Sequence, residues 1–194
     1  AIGSYGISPL EYSTMYSMFP GLGITAKSKF IVSITDKDGK TRFIEPERRR
    51  VLRPEQAYLM TDMMRTVVER GTGQSARLNG VQVAGKTGTT NNNVDAWFCG
   101  FTPEVEVLVW YGNDDNTPMR KVEGGGRTAA PVFKKFMESY MKEYPLKQKT
   151  FIEPEGVFHT AHEGLAEIYT KISPVPKPDA QDMLIKQDDE GLIF

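Results

Sequence analysis

The residues of this chain best suited to chemistry lie within residues 80–101, GVQVAGKTGTTNNNVDAWFCGF. Beginning at Gly80, the run GVQVAGKT fits the G-x-x-x-x-G-K-[ST] spacing of loops that bind nucleotide phosphates through backbone N–H groups. The same letters fit a β-strand that presents Lys86, Thr87 and Gly88 at the edge of a substrate cleft. The residues on either side decide between these two interpretations.

A phosphate-binding loop needs a buried apolar strand before its first glycine and a helix after its lysine. The preceding residues, QSARLN, are mostly polar, and the middle residues, VQVA, alternate between apolar and polar as in a strand. The following GTTNNN is a poor helix start, because its residues have low helix propensity. The flanking sequence therefore favours the strand.

In a strand, Lys86 would share one face with Gly88, while Thr87 and Thr89 would share the other. A cleft that used the lysine and both threonines would need a twist or a bulge, for which Gly88 is suited. Glycine also lets a substrate backbone approach closely. A hydroxyl can bind a carboxylate, and a backbone N–H can stabilise an oxyanion.

Two local signals describe the beginning of the chain. Ser8, Pro9 and Glu11 predict a helix start, with a capping hydroxyl, a proline at the first helical position and a capping-box glutamate. Residues 30–35 and 41–44 flank the letters DKDGK, whose Asp-Gly pair predicts a β-hairpin.

Two longer helices follow. One begins at Pro54 and stops at Gly71, and the other follows the glycine run 124–126 and stops at Pro145. Each has an apolar stripe at helical spacing that we expect to face the core. The stripe of the first helix consists of Met60, Met63, Met64, Val67 and Val68. The second stripe consists of Val132, Phe133, Phe136, Met137, Tyr140, Met141 and Tyr144.

Three strands are predicted at residues 81–84, 96–101 and 105–111, as neighbours in one sheet. With the helices they predict an α/β (α+β) fold, an antiparallel sheet flanked by helices. We expect residues 1–144 to form the main domain. Residues 145–194 should form a partly extended or loosely ordered extension, with a small hairpin near residues 156–169.

Bulk composition excludes several classes of protein. The net charge of −1 over 194 residues predicts no nucleic-acid partner, because such binding needs a concentrated basic surface. Cys99 is the only cysteine, which excludes an intramolecular disulfide. The longest apolar run, residues 107–111, is far shorter than the roughly 20 residues that span a bilayer. Because the chain opens without a start methionine or a signal sequence, we expect it to be a piece of a longer protein.

The letters VAGKTGTTNNNVDAWFCGFTP resemble the K-T-G region of class A, bifunctional penicillin-binding proteins. GSYGISPLEYSTMYSMFPGLG, PEQAYLMTDMMRTVVERGTG and GGGRTAAPVFKKFM resemble further landmarks of the same transpeptidase domain, in the same order. DAWF after the K-T-G letters favours this class over monofunctional penicillin-binding proteins and serine β-lactamases. The similarity extends over residues 3–137 and implies an incomplete transpeptidase or β-lactamase-like fold.

The resemblance implies the D,D-transpeptidase of a peptidoglycan synthase, with stem peptides as substrates and β-lactams as acylating inhibitors. Lys86 would supply positive charge beside the nucleophile, and the Thr89 backbone N–H would contribute to the oxyanion hole. The hydroxyls of Thr87 and Thr89 would hold the carboxylate, in a substrate-binding stretch that includes Gly88 and Thr90. The implied location is the extracytoplasmic face of a bacterial membrane.

Other candidate residues have competing explanations. Asp95 and Trp97 could line the cleft, although an aromatic residue in a strand is usually a packing residue. His159, His162 and Glu163 occur in the order H-x-x-H-E, which differs from the zinc-hydrolase motifs. We expect no metal and no cofactor.

Two motifs of the family, S-x-x-K with the nucleophile and S-x-N, do not precede the K-T-G letters. The S-x-x-K match at Ser139 to Lys142 lies in the last predicted helix, away from its apolar stripe. We expect a C-terminal fragment that needs the N-terminal part of the same protein, and that is inactive and either unstable or dimeric alone. The alternative is a non-catalytic binding or scaffold module with a transpeptidase-like surface.

Overall fold

The computed structural model describes residues 6–162 and 165–175. The chain divides into two compact units, Ala1–Glu155 and Gly156–Phe194. The first unit contains the K-T-G strand.

Helix α1, Pro9–Tyr16, begins with the predicted capping box. The Glu11 backbone N–H donates to Ser8 Oγ over 3.3 Å, and the Ser8 N–H donates to the Glu11 carboxylate over 3.1 Å. These two bonds satisfy donors that a helix leaves unpaired at its N-terminus. The helix start predicted from Ser8, Pro9 and Glu11 is confirmed.

Two small antiparallel pairs lie outside the main sheet. Strand β1, Ile24–Ala26, pairs with β4, Arg48–Arg50, and β2, Ser33–Thr35, pairs with β3, Thr41–Phe43. The β2–β3 hairpin is the one predicted from DKDGK. The Asp36 carboxylate closes its turn by accepting two backbone N–H bonds.

The main sheet has three antiparallel strands in the order β5-β6-β7. They are β5, Ala84–Thr89, β6, Asp95–Phe101, and β7, Glu106–Gly112. The last two confirm predictions to within one residue. The strand predicted at residues 81–84 is wrong, because β5 begins at Ala84 and continues through the K-T-G letters. Before Ala84 the chain lies outside the sheet, where the Gln82 N–H donates to the Lys149 carbonyl oxygen, 2.8 Å away.

Helices cover the sheet, which confirms the predicted fold class. They are α2, Pro54–Glu69, and α3, Ala130–Glu143, which follows a π-helical turn at Gly125–Ala129. On one face Phe133 of α3 packs edge-on against Phe98 of β6, with ring centroids 5.2 Å apart. On the other face Phe19, in the loop after α1, stacks on Phe101 at 6.3 Å. In the part of the chain that the structure describes, no helix is both long enough and apolar enough to cross a membrane.

The predicted apolar stripes are only partly buried. In α2, Met64 and Val68 are buried, whereas Met60 and Met63 are 42% and 61% exposed. The buried face of the helix is therefore rotated away from the predicted stripe. The inward face carries smaller and polar side chains that a hydrophobic pattern does not select: Ala57, Tyr58 and Thr61. In α3, Phe133 and Met137 are buried, and the outer part of the predicted stripe is exposed: Val132, Phe136 and Tyr144.

The core continues beyond α3. Leu146 packs in the same cluster as Phe133, and Phe151 packs against the cluster around Phe101. Both residues belong to the first unit, which ends at Glu155. The assignment of residues 1–144 to the transpeptidase domain and of residues 145–194 to an extension stays a prediction.

The second unit contains one antiparallel hairpin, formed by β8, Phe158–His162, and β9, Leu165–Tyr169, in its described part. The rings of Phe158 and Tyr169 lie 5.4 Å apart across the pair. This hairpin agrees with the one predicted near residues 156–169. Glu163 and the end of PVPKP lie outside the described residues.

Candidate active site

The K-T-G strand alternates regularly. Lys86 lies opposite Cys99 and Thr87 lies opposite Phe98, and the pairing continues without interruption to Thr89. Facing residues share a side of the sheet, so Lys86 lies on one face and both threonines lie on the other. The twist or bulge expected at Gly88 is therefore not needed for the pairing, and the register contains no bulge there.

The Lys86 ammonium and the Thr87 backbone come together at the free edge of β5. No strand within the described residues pairs with this edge. The Lys86 side chain curves around the free edge of β5, and its Nζ donates to the Thr87 carbonyl oxygen over 2.7 Å. The lysine ammonium and the threonine backbone therefore meet at the same edge, although their side chains start from opposite faces.

The backbone pattern also directs the Thr89 N–H outward. In an antiparallel pair, successive residues alternate between bonding the partner strand and facing away from it. The Thr90 N–H bonds inward, to the Asp95 carbonyl at 3.1 Å. Its neighbour Thr89 must then present its N–H at the free edge, as an oxyanion donor requires.

Two distant segments hold the threonine hydroxyls. Thr87 Oγ1 lies 2.6 Å from Thr72 Oγ1, in the loop after α2. Thr89 Oγ1 accepts a hydrogen bond from the Gly125 backbone N–H at 3.2 Å. Both contacts lie on the face of the sheet that α3 also covers.

The glycine run before α3 packs directly on the K-T-G strand. A Cβ atom on Gly125 would lie 2.3 Å from the Trp97 carbonyl oxygen and 2.7 Å from the Gly88 carbonyl oxygen. One on Gly126 would lie 2.2 Å from the Thr72 carbonyl oxygen. Only glycine permits this approach. The sequence pattern predicts only a helix start at this run and not its packing at the site, although three consecutive glycines are more than a helix start needs.

Thr90 and Asp95 close the turn at the end of β5. The Thr90 hydroxyl donates to Asp95 Oδ2 at 3.0 Å and accepts from the Asp95 N–H at 2.8 Å. Asp95 Oδ1 accepts from Trp110 Nε1 at 2.8 Å. Both candidate residues thus have partners that stabilise the turn, and their contact with a substrate stays a prediction.

Trp97 is half-buried on the face that carries Lys86. Its ring lies 6.0 Å from Tyr12 of α1 and 6.2 Å from Trp110 of β7. Gly88 lies opposite Trp97 in the register, and a Cβ at Gly88 would contact the Trp97 Cβ at 3.3 Å. Trp97 therefore packs between α1 and β7, and its proposed place in the cleft stays a prediction.

A titratable pair, Cys99 and Glu106, lies beneath α1 and is not predicted from the sequence. Cys99 Sγ donates to Glu106 Oε1 at 3.7 Å. Burial raises the pKa of the Glu106 carboxyl to about 7, against the smaller lowering effects of hydrogen bonds from Ser13 and Cys99. Burial also raises the pKa of the Cys99 thiol, so this cysteine lacks the thiolate character of a nucleophile.

The remaining candidates lie apart from this edge. Ser139 and Lys142 are exposed on α3. A cavity of about 380 Å³ opens beside Arg77 and Lys149, and no K-T-G residue lines it. Across residues 6–162 and 165–175, no three metal-ligating side chains come together. The candidate site is thus an open sheet edge.

Residues 1–138 match the penicillin-binding protein transpeptidase domain family, and the chain belongs to this family. Penicillin-binding protein 1A of Neisseria meningitidis is 35% identical over 210 residues, which cover 98% of this chain and 25% of that protein. Penicillin-binding protein 1A of Aquifex aeolicus is 36% identical over 158 residues, covering 81% of this chain and 22% of that protein. The chain spans about a quarter of the length of these relatives.

Solved structures agree with this assignment. The crystal structure of penicillin-binding protein 1A from Haemophilus influenzae superposes with a TM-score of 0.72 at 22% identity, over 88% of this chain and 33% of that one. Penicillin-binding protein A of M. tuberculosis, solved as an imipenem acyl-enzyme complex, gives a TM-score of 0.60 at 26% identity, over 71% of this chain and 32% of that one. The resemblance inferred from the sequence and the transpeptidase fold are confirmed.

Proposed function

We propose that this chain forms the substrate-binding edge of a serine-type peptidoglycan D,D-transpeptidase within a bifunctional penicillin-binding protein. The observation that supports the proposal most strongly is the free edge of β5. There the Lys86 ammonium contacts the Thr87 carbonyl oxygen and the strand pattern directs the Thr89 N–H outward. The proposal adds that the Thr87 and Thr89 hydroxyls reach the same ligand. A substrate that ends in a carboxylate and reacts through a carbonyl needs these groups.

The proposed reaction is an acyl transfer. A serine from a part of the protein outside this chain attacks the carbonyl of the penultimate D-Ala, and the terminal D-Ala leaves. The amine of a neighbouring stem peptide then takes the acyl group and releases the serine. A β-lactam would acylate the same serine as its ring amide bond opens.

Each residue of the edge has a proposed role in that reaction. The Thr89 N–H stabilises the oxyanion of the tetrahedral intermediate, and loss of one such donor typically raises a barrier by about 3 kcal/mol. Lys86 adds positive charge beside the serine. The hydroxyls of Thr87 and Thr89 bind the carboxylate of the terminal D-Ala or of the β-lactam.

The proposed partners are stem peptides, β-lactams and the part of the same protein that supplies the serine. The proposed location is the extracytoplasmic face of a bacterial membrane, where peptidoglycan is cross-linked. This activity needs no cofactor, because the serine, the lysine and the hydrogen-bond donors provide the complete acyl-transfer chemistry.

The test is acylation of the full-length protein by a fluorescent penicillin, read on a denaturing gel. We expect a covalent band, formed at least about tenfold more slowly by Thr89→Val, because a hydrogen bond to a charged group is lost. Thr41→Val, on the β2–β3 hairpin, should react as fast as the unmodified protein. A folded full-length protein that is never labelled would instead favour the non-catalytic module.

A further inference from the structure

Thr72 contacts the K-T-G strand without any role in the reaction proposed above. It lies in the letters RGTG, just after α2, and its hydroxyl oxygen is 2.6 Å from that of Thr87, 15 residues away. The Gly126 backbone lies against the Thr72 carbonyl so closely that no side chain fits between them. The loop that carries Thr72 is thus held between the glycine run and β5.

The hydrogen-bonding capacity of a hydroxyl makes this contact directional. A threonine hydroxyl has one proton to donate and two lone pairs, whereas an ionised carboxylate only accepts. If Thr87 donated its proton to Thr72, it would have none for a carboxylate. Thr87 can bind a carboxylate only when the Thr72 O–H donates to Thr87 Oγ1.

The second threonine of the strand has the same arrangement. The Gly125 N–H donates to Thr89 Oγ1, and a backbone amide can only be the donor in this bond. The Thr89 proton is therefore free to point to another acceptor. If the Thr72 O–H donates to Thr87 Oγ1, both hydroxyls accept from a protein donor and keep their own protons for a ligand.

We propose that Thr72 is a positioning residue for carboxylate recognition, whose O–H donates to Thr87 and thereby directs the Thr87 proton to the ligand. The inference rests on the proposed function of the K-T-G strand. It applies to ligands with a free carboxylate, such as a D-alanine terminus or a β-lactam acid. Thr72 itself need not touch the ligand.

The test compares acylation rate constants of the full-length protein for penicillin G and for its methyl ester, which cannot accept as a carboxylate does. Thr72→Val removes the hydroxyl at nearly constant volume, and Thr72→Ser retains it. Thr41→Val is the matched control, because it breaks another exposed pair of threonine hydroxyls, 2.9 Å apart, between Thr35 and Thr41.

We expect Thr72→Val to slow acylation by the free acid by about five- to tenfold, as for one lost hydrogen bond, with little change for the ester. Thr72→Ser should restore the rate with the acid. Equal slowing with acid and ester, or no slowing with either, would overturn the inference while leaving the transpeptidase proposal intact. If the unmodified protein is not acylated at all, the proposed function fails and this inference fails with it.

Discussion

The backbone N–H of Gly125 donates to the hydroxyl of Thr89 over 3.2 Å, although 36 positions separate the two residues. The bond joins the turn before α3 to the end of the K-T-G strand. Its length depends on how closely the turn approaches the sheet, and that approach requires glycine. The geometry of the site is therefore maintained from a segment that contributes no functional side chain.

Gly125→Ala should disrupt the candidate site. The three atoms nearest its Cβ would be backbone atoms of Trp97 and Gly88, which cannot rotate away. We expect a loss of about 1–3 kcal/mol in the free energy of unfolding and a marked loss of penicillin acylation in the full-length protein. Gly6→Ala is the control, because no atom of the other described residues lies within 4 Å of its Cβ position. Equal acylation rates for both variants would contradict the prediction.

Asp95→Ala should destabilise the turn after β5. The substitution leaves Trp110 Nε1 and the Thr90 hydroxyl without their acceptor. We expect a loss of about 1–2 kcal/mol, measured from urea unfolding curves. Asp114→Ala, in an exposed turn, should change stability by less than about 0.5 kcal/mol. Indistinguishable midpoints for the two variants would refute a structural role for Asp95.

Glu106→Gln should change how stability depends on pH. The folded-state pKa of Glu106 is about 7, raised by burial from an ordinary 4.5, so folding favours its protonated form. The carboxyl costs nothing well below pH 4.5; its penalty grows as the pH rises from about 4.5 and levels off above about 7. This rise in the pKa of Glu106 corresponds to about 3 kcal/mol in the free energy of unfolding, which partial exposure of the side chain reduces to about 1–2 kcal/mol. The variant should match the unmodified protein at pH 4 and be more stable at pH 8, and parallel stability curves would exclude this effect.

A protein consisting of these 194 residues should not be labelled by fluorescent penicillin. The proposed nucleophile is a serine outside the chain, and Ser139 is an exposed helix residue without a desolvated site around it. The measurement is the same gel used for the full-length protein. A covalent band that disappears in Ser139→Ala would show that the reactive serine lies within this chain.

The same 194-residue protein should self-associate through α3. Phe136 is 49% exposed, and its ring stacks on Tyr140, which in turn packs against Tyr144 at 5.0 Å. An aromatic surface of this kind favours association. Sedimentation velocity should show concentration-dependent dimers, weakened by Phe136→Glu and unchanged by Lys135→Glu on the neighbouring exposed position. A monomer at every concentration would contradict this.

Local sequence signals predicted much of the fold. The Ser8 and Glu11 capping box and the turn of the β2–β3 hairpin depend on residues within four positions of one another. The local sequence is therefore enough to predict them. The start of β5 could not be predicted in this way. Val81 looks like a strand residue, but the chain there follows the segment near Lys149.

Burial on the helices was predicted less well for a related reason. The periodicity of α2 established that the helix is amphipathic, whereas its inward face depends on which side chains the sheet can accommodate. Thr61 could be buried because its hydroxyl donates to the Ala57 carbonyl at 2.9 Å within the helix. Met63 is exposed, although it is more apolar than Thr61.

The family, the strand that carries Lys86, Thr87 and Thr89, and the faces to which strand alternation assigns them follow from the sequence alone. Three contacts are visible only in the folded chain: Lys86 with the free edge, Thr72 with Thr87, and Gly125 with Thr89. The two groups of features differ in the range of the interactions that produce them. Alternation follows from the covalent geometry of adjacent residues, whereas these contacts depend on sheet register and on the packing of loops that are distant along the chain.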